Sequence, residues 1–85
     1  MKVFKFYTPD CTACKTLDEF FANELEFSEY EPVNAWEDAE LASKYEVFSA
    51  PVTVLSEDNG DAIQIVRGLK YPELEELVET YNASL

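Results

Sequence analysis

The two cysteines of this 85-residue chain stand three positions apart, in the segment Cys11-Thr12-Ala13-Cys14. At this spacing on the first turn of a helix, two Cα atoms can approach the roughly 5–6 Å separation that a disulfide needs. The unpaired N–H groups and the dipole at a helix N-terminus favour a thiolate there. The pattern therefore indicates an activated Cys11 and a more buried Cys14, the pair that two-step thiol–disulfide exchange requires.

Three other uses of the cysteines compete with this interpretation. A zinc site is disfavoured because the chain has no second CxxC and no histidine, so its remaining ligands would be carboxylates or a second chain. An inert structural disulfide fits poorly with a reducing compartment, and two ordinary core thiols would fit a mid-helix position. Redox use is favoured, and the absence of histidine also excludes Ser–His and Cys–His catalysis.

The hydrophobic pattern predicts seven elements in the order β-α-β-α-β-β-α. Aromatic and β-branched runs predict strands, and apolar residues spaced three and four apart predict helices with one buried face. The pair Asn59-Gly60 between two β-branched runs predicts a tight hairpin turn, because both residues tolerate a positive φ. The predicted strands are 3–7, 31–35, 52–55 and 62–66, and the predicted helices are 11–25, 37–45 and 72–81.

This order predicts one α/β domain over residues 1–85. The first two strands should be parallel through a right-handed crossover, and the last two antiparallel through the hairpin. A mixed four-stranded sheet flanked by helices would close the domain. Two local details are also predicted. Thr8 or Asp10 caps the helix that begins at Cys11, and Trp36 anchors beneath a helix.

Composition and charge limit the kinds of molecule that the chain can bind. The chain carries 18 acidic and 6 basic residues, a formal net charge of −12. Such a charge disfavours binding to nucleic-acid backbones and to anionic membrane surfaces. The first residues show no signal-peptide pattern, and no segment approaches the about 20 apolar residues of a membrane span. A cytoplasmic protein is therefore expected, in a compartment where thiols are kept reduced.

The segments around the cysteines resemble a known family. Phe6 through Lys15 resembles the strand-loop-helix active site of thioredoxins and glutaredoxins, and Lys44 through Thr53 resembles the segment that carries the family's cis-proline. Asn59-Gly60 and Arg67-Gly68-Leu69 resemble the hairpin turn and the glycine after the last strand. The chain is identified as a member of the thioredoxin/glutaredoxin superfamily, which implies the minimal thioredoxin fold.

The resemblance also implies an activity. The triplet Ala50-Pro51-Val52, followed by Gly68-Leu69 and Pro72, looks most like the glutaredoxin-like redoxins that serve ribonucleotide reductase. Reduction of protein disulfides is implied, with Cys11 attacking the substrate disulfide and Cys14 resolving the mixed disulfide. Neither a metal nor an organic cofactor is expected, because the cysteine pair itself carries two electrons.

A substrate surface beside the cysteines is implied as well. The resemblance assigns Thr12 and Ala13 to the active-site loop and predicts a cis Pro51. A cis-proline there would leave the Ala50 backbone free to pair with the extended chain of a substrate. Tyr7, which matches the family's aromatic residue before the loop, could shield the disulfide or simply end an aromatic core strand.

Departures from the family pattern bear on the electron donor. Thr12-Ala13 is neither the Gly-Pro of thioredoxins nor the Pro-Tyr common in glutaredoxins, and Lys5 occupies the position of the thioredoxins' buried acid. Arg67-Gly68-Leu69-Lys70 lacks the second glycine and the Asp pair that help glutaredoxins to hold glutathione. We therefore expect a monomer that receives electrons from a thioredoxin reductase in preference to glutathione and acts on disulfide-containing proteins.

The same residues are also compatible with a different class of function. The chain could be a redox-inactive, thioredoxin-fold binding subunit whose acidic surface docks a protein partner, with both cysteines dispensable. The two functions differ in one simple observation, which is whether the reduced protein speeds the reduction of insulin by dithiothreitol.

Overall fold

A computed structural model describes residues 1–85 and contains seven elements in the predicted order. The elements are β1 (Lys2–Tyr7), α1 (Thr12–Asn23), β2 (Glu31–Asn34), α2 (Ala39–Lys44), β3 (Val52–Ser56), β4 (Ala62–Arg67) and α3 (Tyr71–Ala83). The prediction of a mixed four-stranded sheet with three helices is confirmed. None of the three helices is both long enough and apolar enough to cross a membrane.

The sheet has the strand order β2-β1-β3-β4. Strand β1 runs parallel to β2 and antiparallel to β3, and β4 runs antiparallel to β3. Phe6, near the end of β1, pairs with Val33 of β2 on one side and with Val52, the first residue of β3, on the other. The segments that follow β1 and β2 and the segment that precedes β3 therefore meet at one end of the sheet.

Two apolar layers cover the two faces of the sheet, because successive strand residues point to opposite sides. Helices α1 and α3 cover the layer that contains Val3, Leu17, Phe21, Phe27, Leu55, Val66, Leu74, Leu77 and Val78. Helix α2 covers the layer that contains Phe6, Val33, Ala42, Tyr45, Val47, Val52 and Val54. Burial of one large apolar side chain contributes about 1.5–3 kcal/mol. The layers therefore hold β1 from both faces.

The start of α1 differs from the prediction. Cys11 is itself the N-cap, and its Sγ accepts the N–H of Cys14 at 3.1 Å. The prediction that Thr8 or Asp10 caps this helix is therefore wrong. Asp10 instead turns the chain with a φ of 59°, a left-handed conformation that Asp adopts more readily than most residues. Cys11 consequently lies at the helix terminus rather than within the first turn.

The β3–β4 loop also differs from the predicted two-residue turn. The N–H of Gly60 donates to the Glu57 carbonyl at 2.9 Å, and the N–H of Glu57 donates to the Asp61 carbonyl at 2.8 Å. Gly60 has a φ of 98°, whereas Asn59 does not adopt a positive φ. The strand register shifts at the end of β3. The hairpin is therefore closed by a longer turn with an irregular register.

Helix α2 is shorter than predicted, because polar side chains bind the backbone before it. The Asn34 side chain accepts the N–H of Trp36 at 2.9 Å, which holds this segment in a turn. Asp38 then caps the helix by accepting the N–H of Leu41 at 3.0 Å. The helix begins only after these two side-chain contacts.

The end of α2 is a Schellman motif. The N–H of Val47 donates to the Ala42 carbonyl at 2.8 Å. The N–H of Glu46 donates to the Ser43 carbonyl at 3.1 Å, which places Glu46 where glycine is usual, with a φ of 54°. The Arg67 guanidinium of β4 donates to the Glu46 carbonyl at 2.7 Å. This contact fastens the turn to the sheet just before the chain enters β3.

Replacing Glu46 with glycine is expected to stabilise the protein by about 1 kcal/mol, because the left-handed conformation costs an L-residue roughly 1–2 kcal/mol and glycine very little. Glu46→Ala keeps the Cβ and is expected to bring no gain, so it serves as the matched control. Urea unfolding followed by circular dichroism measures both free energies of unfolding. Equal stability of the two variants would contradict this account of the turn.

Candidate active site

The two cysteines lie where β1 leads into α1. The structure joins Cys11 and Cys14 in a disulfide with a Cα–Cα distance of 5.2 Å, within the usual range. Cys14 is buried, with 4% of its surface exposed, whereas Cys11 is partly exposed. A sulfur that approaches from solvent therefore reaches Cys11 first.

The other predicted site residues lie in two segments near the disulfide. Thr12 is exposed and Ala13 is half-buried in the first turn of α1. The Ala50-Pro51 peptide bond is cis, as the resemblance predicts, and it immediately precedes β3. Because the first residue of β3, Val52, pairs with Phe6 of β1, the sheet brings both segments to the same end.

Backbone geometry favours negative charge on the outer sulfur. The N–H of Cys14 points at Cys11 Sγ across 3.1 Å, and this donor would stabilise a thiolate formed there on reduction. The structure contains no group of three or more cysteine and carboxylate side chains placed to hold a metal ion. The two sulfurs themselves lie at a helix N-terminus within disulfide distance, an arrangement that supports exchange with a third sulfur.

A charged cluster lies beside the start of α1. Lys5 of β1 is only 3% exposed, and its Nζ donates to Asp18 Oδ1 of α1 at 2.5 Å. The Tyr30 hydroxyl donates to the same oxygen at 3.1 Å. The Lys5 cation also lies 5.6 Å from the ring centroid of Tyr7. The strand position that resembles the family's buried acid thus holds a cation, and its counter-ion comes from the helix.

This contact defines the surroundings of Tyr7. The Tyr7 ring borders a pocket that is also lined by Lys5, Asp18, Tyr30 and Pro32. The ring therefore contributes to the charged cluster at the end of β1. Its predicted role as a shield of the disulfide stays a prediction.

The cluster also holds Tyr30 in its neutral form. Burial, followed by the hydrogen bond to Asp18 and the negative charge of Asp18, raises the pKa of Tyr30 from 10.0 to about 12. The stabilisation linked to this shift is complete below the ordinary tyrosine pKa and is lost as the pH rises toward 12. Near neutral pH, Tyr30 therefore remains a hydrogen-bond donor to Asp18.

The two members of the ion pair differ in burial. The side chain of Lys5 is 4% exposed, whereas that of Asp18 is 47% exposed. Removal of Asp18 leaves a buried ammonium group without a counter-ion, which is costly. Removal of Lys5 leaves a carboxylate that water can solvate.

The stability of variants is expected to follow this asymmetry. Asp18→Ala is expected to lower the free energy of unfolding by about 2–3 kcal/mol, a value moderated by the half-exposed carboxylate. Lys5→Met refills the buried volume and is expected to change the free energy by less than about 1 kcal/mol. Glu19→Ala, on the exposed face of α1, is the matched control for loss of a carboxylate. Urea unfolding at neutral pH that gives equal losses for Asp18→Ala and Lys5→Met would refute the asymmetry.

The predicted anchoring role of Trp36 is wrong. Trp36 is 71% exposed, because the turn closed by Asn34 holds it outside α2. Phe48 is 87% exposed in the segment that leads to β3. We call these two side chains the aromatic patch. They border a small pocket lined by Thr8, Ala35, Trp36, Val47, Phe48 and Ser49.

Sequence reasoning missed Phe48, because a single aromatic residue in a loop looks like any core residue. A signal was nevertheless present in the predicted topology. Trp36 follows the second strand and Phe48 precedes the third, and both of those strands flank the first. Their neighbourhood could have been inferred from the strand order alone.

Comparison with known proteins gives a relative that matches nearly the whole chain. No protein-family model matches. The SPbeta prophage-derived thioredoxin-like protein YosR of Bacillus subtilis (strain 168) is 30% identical over 79 residues, which cover 93% of this chain and 96% of the relative. Because only about six residues of this chain lie outside the match, the aligned region includes the cysteine loop.

Solved structures agree with this comparison. A thioredoxin from Fasciola hepatica superposes with a TM-score of 0.72 and 26% identity, over 92% of this chain and 77% of the other. A mutant thioredoxin from Halobacterium salinarum superposes with a TM-score of 0.73 and 29% identity, over 93% of this chain and 72% of the other. This chain is thus similar to about three quarters of each of these proteins.

Proposed function

We propose that this chain, which belongs to the thioredoxin-like proteins, is a thiol–disulfide oxidoreductase that reduces the disulfides of other proteins. The observation that carries the proposal is the Cys11–Cys14 disulfide at the N-terminus of α1, with one sulfur partly exposed and the other buried. Two-step exchange needs this difference in access. The reaction requires no metal or organic cofactor, because the cysteine pair carries two electrons.

The exchange proceeds in two displacements. The Cys11 thiolate attacks one sulfur of the substrate disulfide, and the other substrate sulfur leaves as a thiolate. Cys14 then loses its proton and attacks Cys11 Sγ, which releases the second substrate sulfur and re-forms the Cys11–Cys14 disulfide. Two electrons pass from the cysteine pair to the substrate, and the two substrate thiolates take up protons.

Protein substrates suit the surroundings of the cysteines. Ala50-Pro51, Thr12 and Ala13 belong to the two segments beside the disulfide, and we assign pairing with an extended substrate chain to the Ala50 backbone. The aromatic patch lies at the same end of the sheet and adds apolar contact area. The net charge of −12 favours substrates with basic surfaces near their disulfides.

Replacement of each cysteine is expected to block the reaction at a different step. Cys11→Ser should lower the rate of insulin reduction by about two orders of magnitude or more, because the attacking sulfur is gone. Cys14→Ser should still attack and then stall as a mixed disulfide, which a non-reducing gel detects. Accumulation of the mixed disulfide in Cys11→Ser instead of Cys14→Ser would reverse the assignment of roles.

The insulin assay also tests the alternative function. A redox-inactive, thioredoxin-fold subunit with an acidic docking surface would not speed the reduction of insulin by dithiothreitol. The wild-type protein is the informative sample, and the Cys11→Ser variant gives the background rate. A wild-type rate equal to that background would favour the binding subunit over the oxidoreductase.

A finer proposal concerns the target. Support for ribonucleotide reductase as a substrate comes from the resemblance of Ala50-Pro51-Val52, Gly68-Leu69 and Pro72 to the redoxins that serve it. The test is to incubate oxidised ribonucleotide reductase with the reduced protein and to measure restored nucleotide reduction. The Cys11→Ser variant is the control, and no restoration by the wild-type protein would remove this target.

The site offers few free cations to an anionic electron donor such as glutathione. Lys5 is buried and paired with Asp18, and the Arg67 guanidinium donates to the carbonyls of Glu46 and Tyr45. Lys5 is therefore unavailable to a carboxylate, and two of the five N–H donors of Arg67 are already used by backbone carbonyls. Because these two cations already contact groups of the protein itself, we favour a thioredoxin reductase over glutathione as the electron donor.

The choice of donor is expected to show in the rate of NADPH consumption by the oxidised protein. Thioredoxin reductase should give a rate at least about tenfold above that of glutathione with glutathione reductase, a difference of about 1.4 kcal/mol in activation free energy. Each system is run without the protein as its control. Turnover that is efficient only with glutathione would show that this preference is wrong.

We also propose that the protein acts as a monomer in the cytoplasm. Reduced thiols persist there, and a reductase that draws on NADPH can regenerate the cysteine pair. Sedimentation of the reduced protein over a range of concentrations tests the monomer, and cell fractionation tests the compartment.

A further inference from the structure

A buried polar layer lies between the sheet and α1. Lys5 and Thr53 are paired across β1 and β3, so their side chains share the sheet face that carries α1. They are 3% and 0% exposed, and the Thr53 hydroxyl has no hydrogen-bond partner. Asp18 reaches this layer from the helix through its ion pair with Lys5. Burial of an ammonium group and of an unpaired hydroxyl lowers the stability of the fold, so their presence beneath α1 suggests a role beyond packing.

Cys14 lies on the buried face of α1, one turn before Asp18. The buried residues of α1 are Cys14, Leu17 and Phe21, which face the sheet. Asp18 follows Cys14 by four positions, which places their Cβ atoms about 5–6 Å apart along the helix. Because Lys5 Nζ contacts Asp18 Oδ1, the ammonium group lies within about 11 Å of the Cys14 Cβ, the sum of the Cβ separation, the Asp18 side chain and the contact itself.

We propose that Lys5 is a positioning residue whose buried ammonium group stabilises the Cys14 thiolate in the second displacement. This inference rests on the proposed function and assigns a role to a residue outside the cysteine loop. Cys14 must lose its proton at a buried position, and burial alone disfavours the thiolate. A cation in the same poorly solvated layer offsets that penalty.

The opposite charges of the ion pair do not cancel at Cys14. Lys5 is almost fully buried, so its field is weakly screened, whereas water reaches the half-exposed carboxylate of Asp18 and screens it. Asp18 thus acts mainly to hold the ammonium group in place. The net effect of the pair on Cys14 is therefore that of a positive charge.

No other buried charge competes with Lys5. The buried residues of α3 that face this layer are apolar, Thr53 of β3 is uncharged, and Lys5 is the only charged residue among the buried ones. Tyr30 stays neutral because its pKa is raised to about 12. Besides Lys5 and the cysteines, the titratable side chains of β1, α1 and the loop between them are Lys2, Tyr7, Asp10, Lys15, Asp18 and Glu19. Those of α3 are Tyr71, Glu73, Glu75, Glu76, Glu79 and Tyr81. Like Tyr30, all of these side chains are at least partly exposed.

The test measures the ionisation of Cys14 directly. In Cys11→Ser, Cys14 is the only thiol, and the serine hydroxyl can still cap α1. Carbon NMR of labelled cysteine follows the Cys14 Cβ resonance as the pH rises. Adding Lys5→Met is expected to raise the midpoint by about one pH unit, a tenfold lower thiolate-to-thiol ratio below the midpoint. Adding Lys5→Arg is expected to keep the midpoint within about 0.3 unit of its original value, because the charge is retained.

Thr53→Val is the matched control. It alters the cross-strand neighbour of Lys5 without changing any charge, and the midpoint is expected to stay the same. A midpoint that does not rise in Lys5→Met, or one that rises as much in Lys5→Arg or in Thr53→Val, would overturn the proposal.

A second measurement leaves Lys5 in place, so it does not require Lys5→Met to fold. In Cys11→Ser, the Lys5 Cε resonance is expected to shift with the same midpoint as the Cys14 Cβ resonance. No shift of the Lys5 resonance through that range would overturn the proposal. Reduction of insulin by the wild-type protein tests the proposed function independently, so the two ideas can fail separately.

Discussion

The hydrogen-bonded position of β1 between β2 and β3 is the constraint on which the site depends. Both edges of β1 are paired, and an apolar layer packs on each of its faces. The end of this strand therefore cannot move without breaking its hydrogen bonds to β2 and β3 and disrupting both apolar layers. The cysteine loop begins at that end, and the segment with the cis peptide bond enters the sheet beside it. The backbone ladder, rather than contacts within the loop, determines where the sulfurs lie.

The sequence was sufficient for the element order, the cysteine pair and the sheet class, because these follow from local periodicity and spacing. It was not sufficient for the first turn of α1. Thr8, Asp10 and Cys11 can all accept a hydrogen bond from the helix, and the choice among them depends on the backbone path after β1. The exposure of Trp36 has a similar origin, since one side-chain contact from Asn34 decides where the next helix starts.

The ion pair shows a different limit of sequence reasoning. Lys5 stands out in the sequence as a cation where the family resemblance leads one to expect an acid. Its partner could not be named, because Asp18 is thirteen residues away and only the packing of α1 on β1 joins them. Once joined, the pair has one buried and one partly solvated member, and this difference is the basis of the role that we propose for Lys5.

The exposure of Trp36 has a practical consequence for spectroscopy. It is the single tryptophan of the chain, and its indole is already largely in water in the folded state. Its emission is therefore a poor reporter of unfolding, because unfolding changes its solvation little. The same ring stands at the end of the sheet where the disulfide lies, so a molecule that covers this end would remove water from the indole and shift its emission to shorter wavelength. The protein carries its own fluorophore for complex formation, without any label.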